Sequence, residues 1–199
     1  MKKTIIQLVL SVIIIGLGYM VYESIMAPVR FNKSVDKRSA VVVQHLKDIR
    51  SAQIAYKGVY GKYIGSFDTL IDFVENGSIP VLNIIPDPND TTFTKTIVDT
   101  IAFVKVSDSL FRDRGMNGVQ HVRYVPFSKN IEFNLNAGEI VKGGVKVNVI
   151  EVKAKYEDML IGLNEQLIIN KIKSLEDIEK YPGLRFGSMT EPTIDGNWE

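Results

Sequence analysis

The chain has 199 residues, no cysteine, and 24 basic side chains against 23 acidic ones, for a formal charge of +1. Charges so evenly mixed form no basic stripe to neutralise phosphates, which argues against a nucleic-acid partner. The lack of thiols excludes a disulfide framework, cysteine catalysis and thiolate metal sites, so the core must hold by packing alone.

Lys2 and Lys3 precede nineteen uncharged residues, 4–22. As a helix rising about 1.5 Å per residue this run reaches roughly 28 Å, close to the hydrocarbon thickness of a bilayer. No small-x-small cleavage site and no lipobox cysteine follows it. The sequence therefore predicts a retained single-pass anchor over residues 1–27 with a short cytoplasmic tail, and membrane lipid as its first partner. Arg30, Lys33, Lys37 and Arg38 pull against this orientation under the positive-inside rule. A three-residue tail on the first segment to leave the ribosome nevertheless stays inside, which puts the rest of the chain in the periplasm or outside the cell.

Pro28 lacks a donor and clashes with the preceding turn, predicting a kink or pause. Residues 28–60 then read as an amphipathic stalk helix. Val35, Val42, Ile49 and Tyr56 recur every seven residues, Leu46 and Gln53 fill the adjacent row, and Lys37, Gln44, Lys47, Arg50 and Lys57 fall mostly elsewhere around the axis. A stripe of this length suits a helix packed on its own domain better than a coiled coil, and Gly58 and Gly61 end it.

Residues 61–199 read as one small α+β domain. Ser66 is placed to cap a short helix in which Phe67, Leu70, Ile71 and Val74 share a face and Asn76-Gly77 is the stop. Residues 81–90 are too rich in proline for a central strand and read as a loop. Strands are predicted over 100–106, 122–127, 131–135, 139–142 and 145–155. Asn136-Ala137-Gly138 and Gly143-Gly144 should turn the last three into an antiparallel meander, and the shift of apolar phase between Val149 and Ile150 suggests a bulge. Residues 156–173 carry no clean period, and Ser174 with Asp177 suggests one last helical turn before Tyr181-Pro182-Gly183.

A catalytic site would need a nucleophile with a base, or paired carboxylates. His45 lies beside the buried row of the stalk and His121 flanks a turn, and both read as structural. Asp87-Pro88-Asn89-Asp90 and the run from Asp113 to Gly118 bring oxygens together without the spacing of a calcium loop. The glycines from 58 to 65 follow a helix, whereas phosphate-binding loops follow a strand. The sequence thus predicts no enzyme, no catalytic residue, no cofactor and no metal.

The membrane run resembles the N-terminal helix of type IV pilins and type II secretion pseudopilins, whose mature chains open Phe-Thr-Leu-Ile-Glu-Leu. Thr4-Ile5-Ile6-Gln7-Leu8 aligns with that opening without gaps, and Gly16 falls at the family's glycine. The helix ending in Ile54-Ala55-Tyr56, then Gly61-Lys62-Tyr63, then Phe67-Asp68-Thr69-Leu70, is similar to the pilin order of elements. The resemblance implies a pilin-like fold and a structural or assembly subunit of an envelope machine in a bacterial inner membrane. Its partners would be other envelope proteins, or further copies of itself in a small oligomer. Two departures matter: Lys2 and Lys3 replace the residues that the leader peptidase reads, and Gln7 replaces the glutamate that recruits a neighbour's amine. Homopolymeric filaments are therefore not expected, and association would run through Gln7, Ser11, Gly16 and Gly18 in the anchor and through Val35, Val42, Ile49 and Tyr56 in the stalk. The C-terminal Lys180-Tyr181-Pro182-Gly183-Leu184-Arg185 and Gly196-Asn197-Trp198-Glu199 also resemble a family of short single-pass Gram-negative envelope proteins of uncharacterised activity. The alternative is a tethered binding or sensor module whose sheet holds a ligand, peptide or glycan, with Trp198 and Tyr181 as contacts.

Overall fold

In a computed structural model, residues 2–86, 96–111 and 122–199 are described. A single helix, α1 (Lys2–Tyr60), runs for 59 residues, or about 88 Å at 1.5 Å per residue. Pro28 lies inside it, so the expected pause does not occur. The proline removes one hydrogen bond to the carbonyl four residues earlier, but the turns on either side continue. Glu23 and Arg30, an exposed ion pair, span the proline from below and above.

The two halves of α1 have opposite surroundings. Every residue from 3 to 22 is exposed, and the first buried side chain is Phe31. From there on one face is inside: Val35, Val42, Leu46, Ile49, Ala52, Gln53 and Tyr56 are all buried, the middle three aliphatic side chains completely. Gln53 is tolerated there because its amide exchanges two hydrogen bonds with the backbone of Ile64, 2.7 Å from Nε2 to the carbonyl and 3.0 Å from the amide to Oε1. The helix ends at Gly61, whose φ of +74° suits only glycine well, while Gly58 stays helical.

The elements packed on this face follow in chain order. α2 (Phe67–Asn76) buries Phe67, Leu70, Phe73 and Val74, and Phe73 meets Tyr56 edge-on at 5.1 Å. Ser66 precedes α2 in extended conformation, but its side chain makes no capping bond. α3 (Val106–Leu110) contributes Val106. β3 (Asn134–Lys142), β4 (Val145–Lys155) and β5 (Gly183–Gly187) form an antiparallel sheet in that order. Ile150, Val152, Ala154, Leu184 and Phe186 from its inner face join the core under α1. Between β4 and β5 lie α4 (Tyr156–Met159) and α5 (Glu165–Glu176), the segment left unassigned by periodicity. Asn164 caps α5 by accepting from the Leu167 amide, and Ser174 lies inside the helix, so the turn expected to begin there is its last one. The architecture is α+β, as the sequence indicates: a long N-terminal helix and small antiparallel sheets.

Several local expectations are corrected. Of the two strands expected over 131–135 and 139–142, residues 134–135 and 139–142 belong to one strand, β3, which runs unbroken through Asn136-Ala137-Gly138, so no hairpin forms there, and residues 131–133 precede it. The register with β4 is continuous from Asn134 opposite Lys153 to Lys142 opposite Val145, so there is no bulge at Val149 either. Val149 and Ile150 are both buried because the sheet is covered on both faces at that point. Met189 lies over the outer face, 3.2 Å from where a Cβ on Gly138 would be, and Gly138 pairs with Val149. Gly143-Gly144 does form the expected hairpin, with φ of +60° and +81°, the signature of a type I′ turn. Residues 122–127 form no strand, only an isolated bridge between Tyr124 and Glu132.

The region expected to be a proline-rich loop contains a strand. β1 (Ser78–Pro86) pairs antiparallel with β2 (Thr96–Lys105) as a separate two-stranded ribbon, so β2 starts four residues before the predicted strand and ends before Val106, which opens α3. Pro80 and Pro86 fit because each strand of a two-stranded ribbon has one side with no partner, where a missing donor costs nothing.

Leu46 is fully buried at the centre of this packing. Leu46→Asp places an unpaired carboxylate there and should cost about 4 kcal/mol. Urea unfolding of the detergent-solubilised chain, followed by the fluorescence of its single tryptophan, should show a clearly lowered midpoint.

Candidate interaction surfaces

The eight positions named for association divide by their surroundings. Gln7, Ser11, Gly16 and Gly18 lie on the bare half of α1 and are exposed. Ser11 returns its hydroxyl to the Gln7 carbonyl at 2.9 Å, the usual way a serine satisfies itself inside an apolar helix. A Cβ at Gly16 or Gly18 would meet nothing within 4 Å, so both leave the helix surface open to close approach. Val35, Val42, Ile49 and Tyr56 lie in the chain's own core, 0–8% exposed. In this fold the stalk row is occupied by the domain itself.

A second surface was not legible as such. In the β1–β2 ribbon every residue from 81 to 85 and from 98 to 105 is exposed, and Val81, Leu82, Ile84, Ile85, Ile101 and Phe103 are 41–69% exposed. Both faces of this ribbon therefore show apolar side chains to solvent, which exceeds the scattered exposure normal for a monomer. The sequence does not reveal it, because prolines mark loops as well as unpaired strand edges, and alternation does not show whether a sheet covers a strand.

The outer face of the main sheet carries charge. Glu151 on β4 is buried to 6% exposure and is held by Lys153 at 2.5 Å and by Arg185 at 3.5 Å. Tyr181 stands beside both cations, 5.7 Å from each to its ring centre. Burial, then the carboxylates of Asp158 and Glu151, push its hydroxyl up to about 12. Residues 187–197 curve over this face and leave a polar hollow of about 550 Å³ walled by Glu151, Lys153, Arg185 and Ser188. The segment is fixed at Gly187, where φ is +74° and a Cβ would sit 2.0 Å from the Ile150 carbonyl oxygen, so only glycine fits.

The C-terminus closes the domain. Arg50 on α1 donates to the Ile194 carbonyl at 3.2 Å and to Glu199 at 2.8 Å, with the Trp198 ring 5.9 Å away. Asn197 accepts from the Arg185 amide and donates to the Gly183 carbonyl, sealing the free edge of β5. Trp198 is thus packed against Arg50 and Gly196, and its availability as a ligand contact is limited by that packing. No sequence pattern links Arg50 to residues almost 150 positions away.

Among the described residues no group of three or more His, Asp or Glu converges as metal ligands would. His45 is half-buried on α1, while His121, residues 87–90 and the run from 113 to 118 lie outside the described residues. Comparison of the chain with protein-family models, with curated proteins and with solved structures gave no match.

The Tyr181 shift has a sign that can be checked. A hydroxyl held protonated more tightly when folded stabilises the fold fully below its ordinary value near 10, and that contribution is lost as pH rises towards 12. Spectrophotometric titration should show Tyr181 ionising late, along with Tyr156, which burial also pushes up. Tyr181→Phe should remove the latest component and flatten the stability loss over the same pH window.

Proposed function

We propose that this chain is a membrane-anchored, non-enzymatic structural or assembly subunit of a bacterial envelope machine, related in layout to pilins and pseudopilins. The observation that carries the reading is the bare half of α1. Its most apolar window has a mean hydropathy of 2.3 and is not buried by any other part of the described chain. About twenty apolar residues exposed on all sides are strongly unfavourable in water and favourable in lipid. The same helix then enters a domain core without a break, which suits a part that holds an ectodomain at a fixed distance from the bilayer. The exposed β1–β2 ribbon and the open glycines of the anchor add surfaces for protein partners. The subunit belongs, in this reading, to the inner membrane, with the N-terminus in the cytoplasm and the domain in the periplasm or outside the cell.

A second reading, a tethered binding module, draws on the hollow around Glu151, Lys153 and Arg185. Its polar walls suit a small charged group better than an apolar ligand. The two cations there are already engaged by Glu151, so the assembly reading is the stronger.

The anchor reading predicts that the full chain stays in the membrane fraction through carbonate washing and that a form beginning at Arg30 leaves it. Recovery of the full chain in the carbonate supernatant would contradict the reading. Single cysteines at Asn76 and Asn136 should react with an impermeant maleimide in intact spheroplasts. Protection of both would reverse the topology.

A further inference from the structure

α5 lies on the surface with none of its residues fully buried, although one side of it is rich in isoleucine. Between it and the loop after α4 runs a groove of about 560 Å³. Its apolar walls include Ile161, Ile168, Ile169 and Ile172, and its charged walls, Glu157 and Glu165, are both acidic. Ile169 is 44% exposed. An apolar floor with carboxylates alone at its rim suits an occupant that brings cations beside a short apolar side chain.

The level of this groove along α1 is fixed. Arg38 donates from Nη1 to the carbonyls of Met159 at 3.0 Å and of Ile161 at 2.9 Å, tying the groove's end to that turn of the helix. Across α1 from the buried row, Lys33, Lys37, Ala40 and Gln44 occupy one exposed face at intervals of four, three and four residues. Lys37 adjoins Arg38, so the basic face and the Ile161 end of the groove stand at similar heights, within the reach of one arginine side chain. Asp36, the acidic residue of that turn, lies near the chain's own Tyr156, and Lys171 is placed over the same ring at 5.0 Å.

We infer that the groove receives α1 of a second copy of this chain, with Lys33 and Lys37 of that copy meeting Glu157 and Glu165. The inference rests on the anchor reading, because copies held in one bilayer by the same helix present the same residues at the same height. Charge complementarity then selects the match: the Ile161 end of the groove stands at a similar height to the neighbour's two lysines. The contact joins two different surfaces, so it is head-to-tail, and it closes into a small ring where the rotation between copies permits. It also gives a use to the exposed side of the stalk, since the buried side belongs to the core.

The test uses full-length chains in their membrane, and the native sequence contributes no thiol background. Two differently tagged copies are co-produced, one with Lys37→Cys and the other with Glu165→Cys, and oxidised. A disulfide-linked product carrying both tags is expected. Adding Lys33→Glu to the first copy should reduce it at least tenfold, and adding Glu157→Lys to the second should restore it. The inference is overturned if both copies remain in the carbonate-washed membrane and no doubly tagged product forms, if Lys37→Cys links only to its own kind, or if Glu165→Cys links only to another protein. In these cases the anchored assembly reading still stands. Release of both copies by carbonate overturns the anchor reading and the inference with it.

Discussion

The fold depends on one constraint: a single helix is bare along one half and must fit a domain core along the other. Residues 4–22 carry no charge and are bare on every side, and from Phe31 one stripe is covered by the domain while the opposite face stays polar. The stripe has the helical period, so one straight rod can keep it against the domain for more than seven turns. Everything else in the domain is arranged around it. α2 and α3 cover one stretch, the inner face of β3–β4–β5 another, and Met159 and Leu160 a third.

Polar contacts fix the position of the domain along this rod more than they add stability. Arg38 grips the carbonyls after α4, Arg50 grips the C-terminal turn, and Gln53 grips Ile64, at three successive levels of α1. Each uses a buried or half-buried side chain to satisfy backbone groups that regular structure leaves open. An apolar stripe by itself permits a slip along the axis. These three grips do not, which gives the domain a fixed height above the helix's bare half.

The long apolar helix, the buried row and the Gly143-Gly144 hairpin were legible because each rests on local chemistry: a long uncharged run, a helical period, two adjacent glycines. What failed depended on distant parts of the chain. The double burial of Val149 and Ile150 looked like a bulge, yet its cause is Met189 on the opposite face, forty positions away. Pro80 and Pro86 counted against a strand, but that rule concerns central strands, and whether a strand is central is decided by the topology. α5 escaped notice because a helix with no buried residue has no need of a clean apolar period. The exposure of Gln7, Ser11, Gly16 and Gly18 follows directly from the uncharged run they lie in. That of the ribbon and the acidic groove does not, since exposure of an apolar residue is a property of what the rest of the chain leaves uncovered.

Whether one unbroken helix joins the bare half to the core is tested most directly by a distance. Nitroxide labels on Ser11→Cys and Ser51→Cys, both exposed on α1, bracket Pro28 and lie forty residues apart. In lipid vesicles, pulsed electron paramagnetic resonance should give one narrow distribution centred near 60 Å, the rise of about 1.5 Å per residue over that span. A broad distribution, or one centred well below that distance, would mean that the helix breaks at Pro28 and that the anchor and the domain are separate bodies.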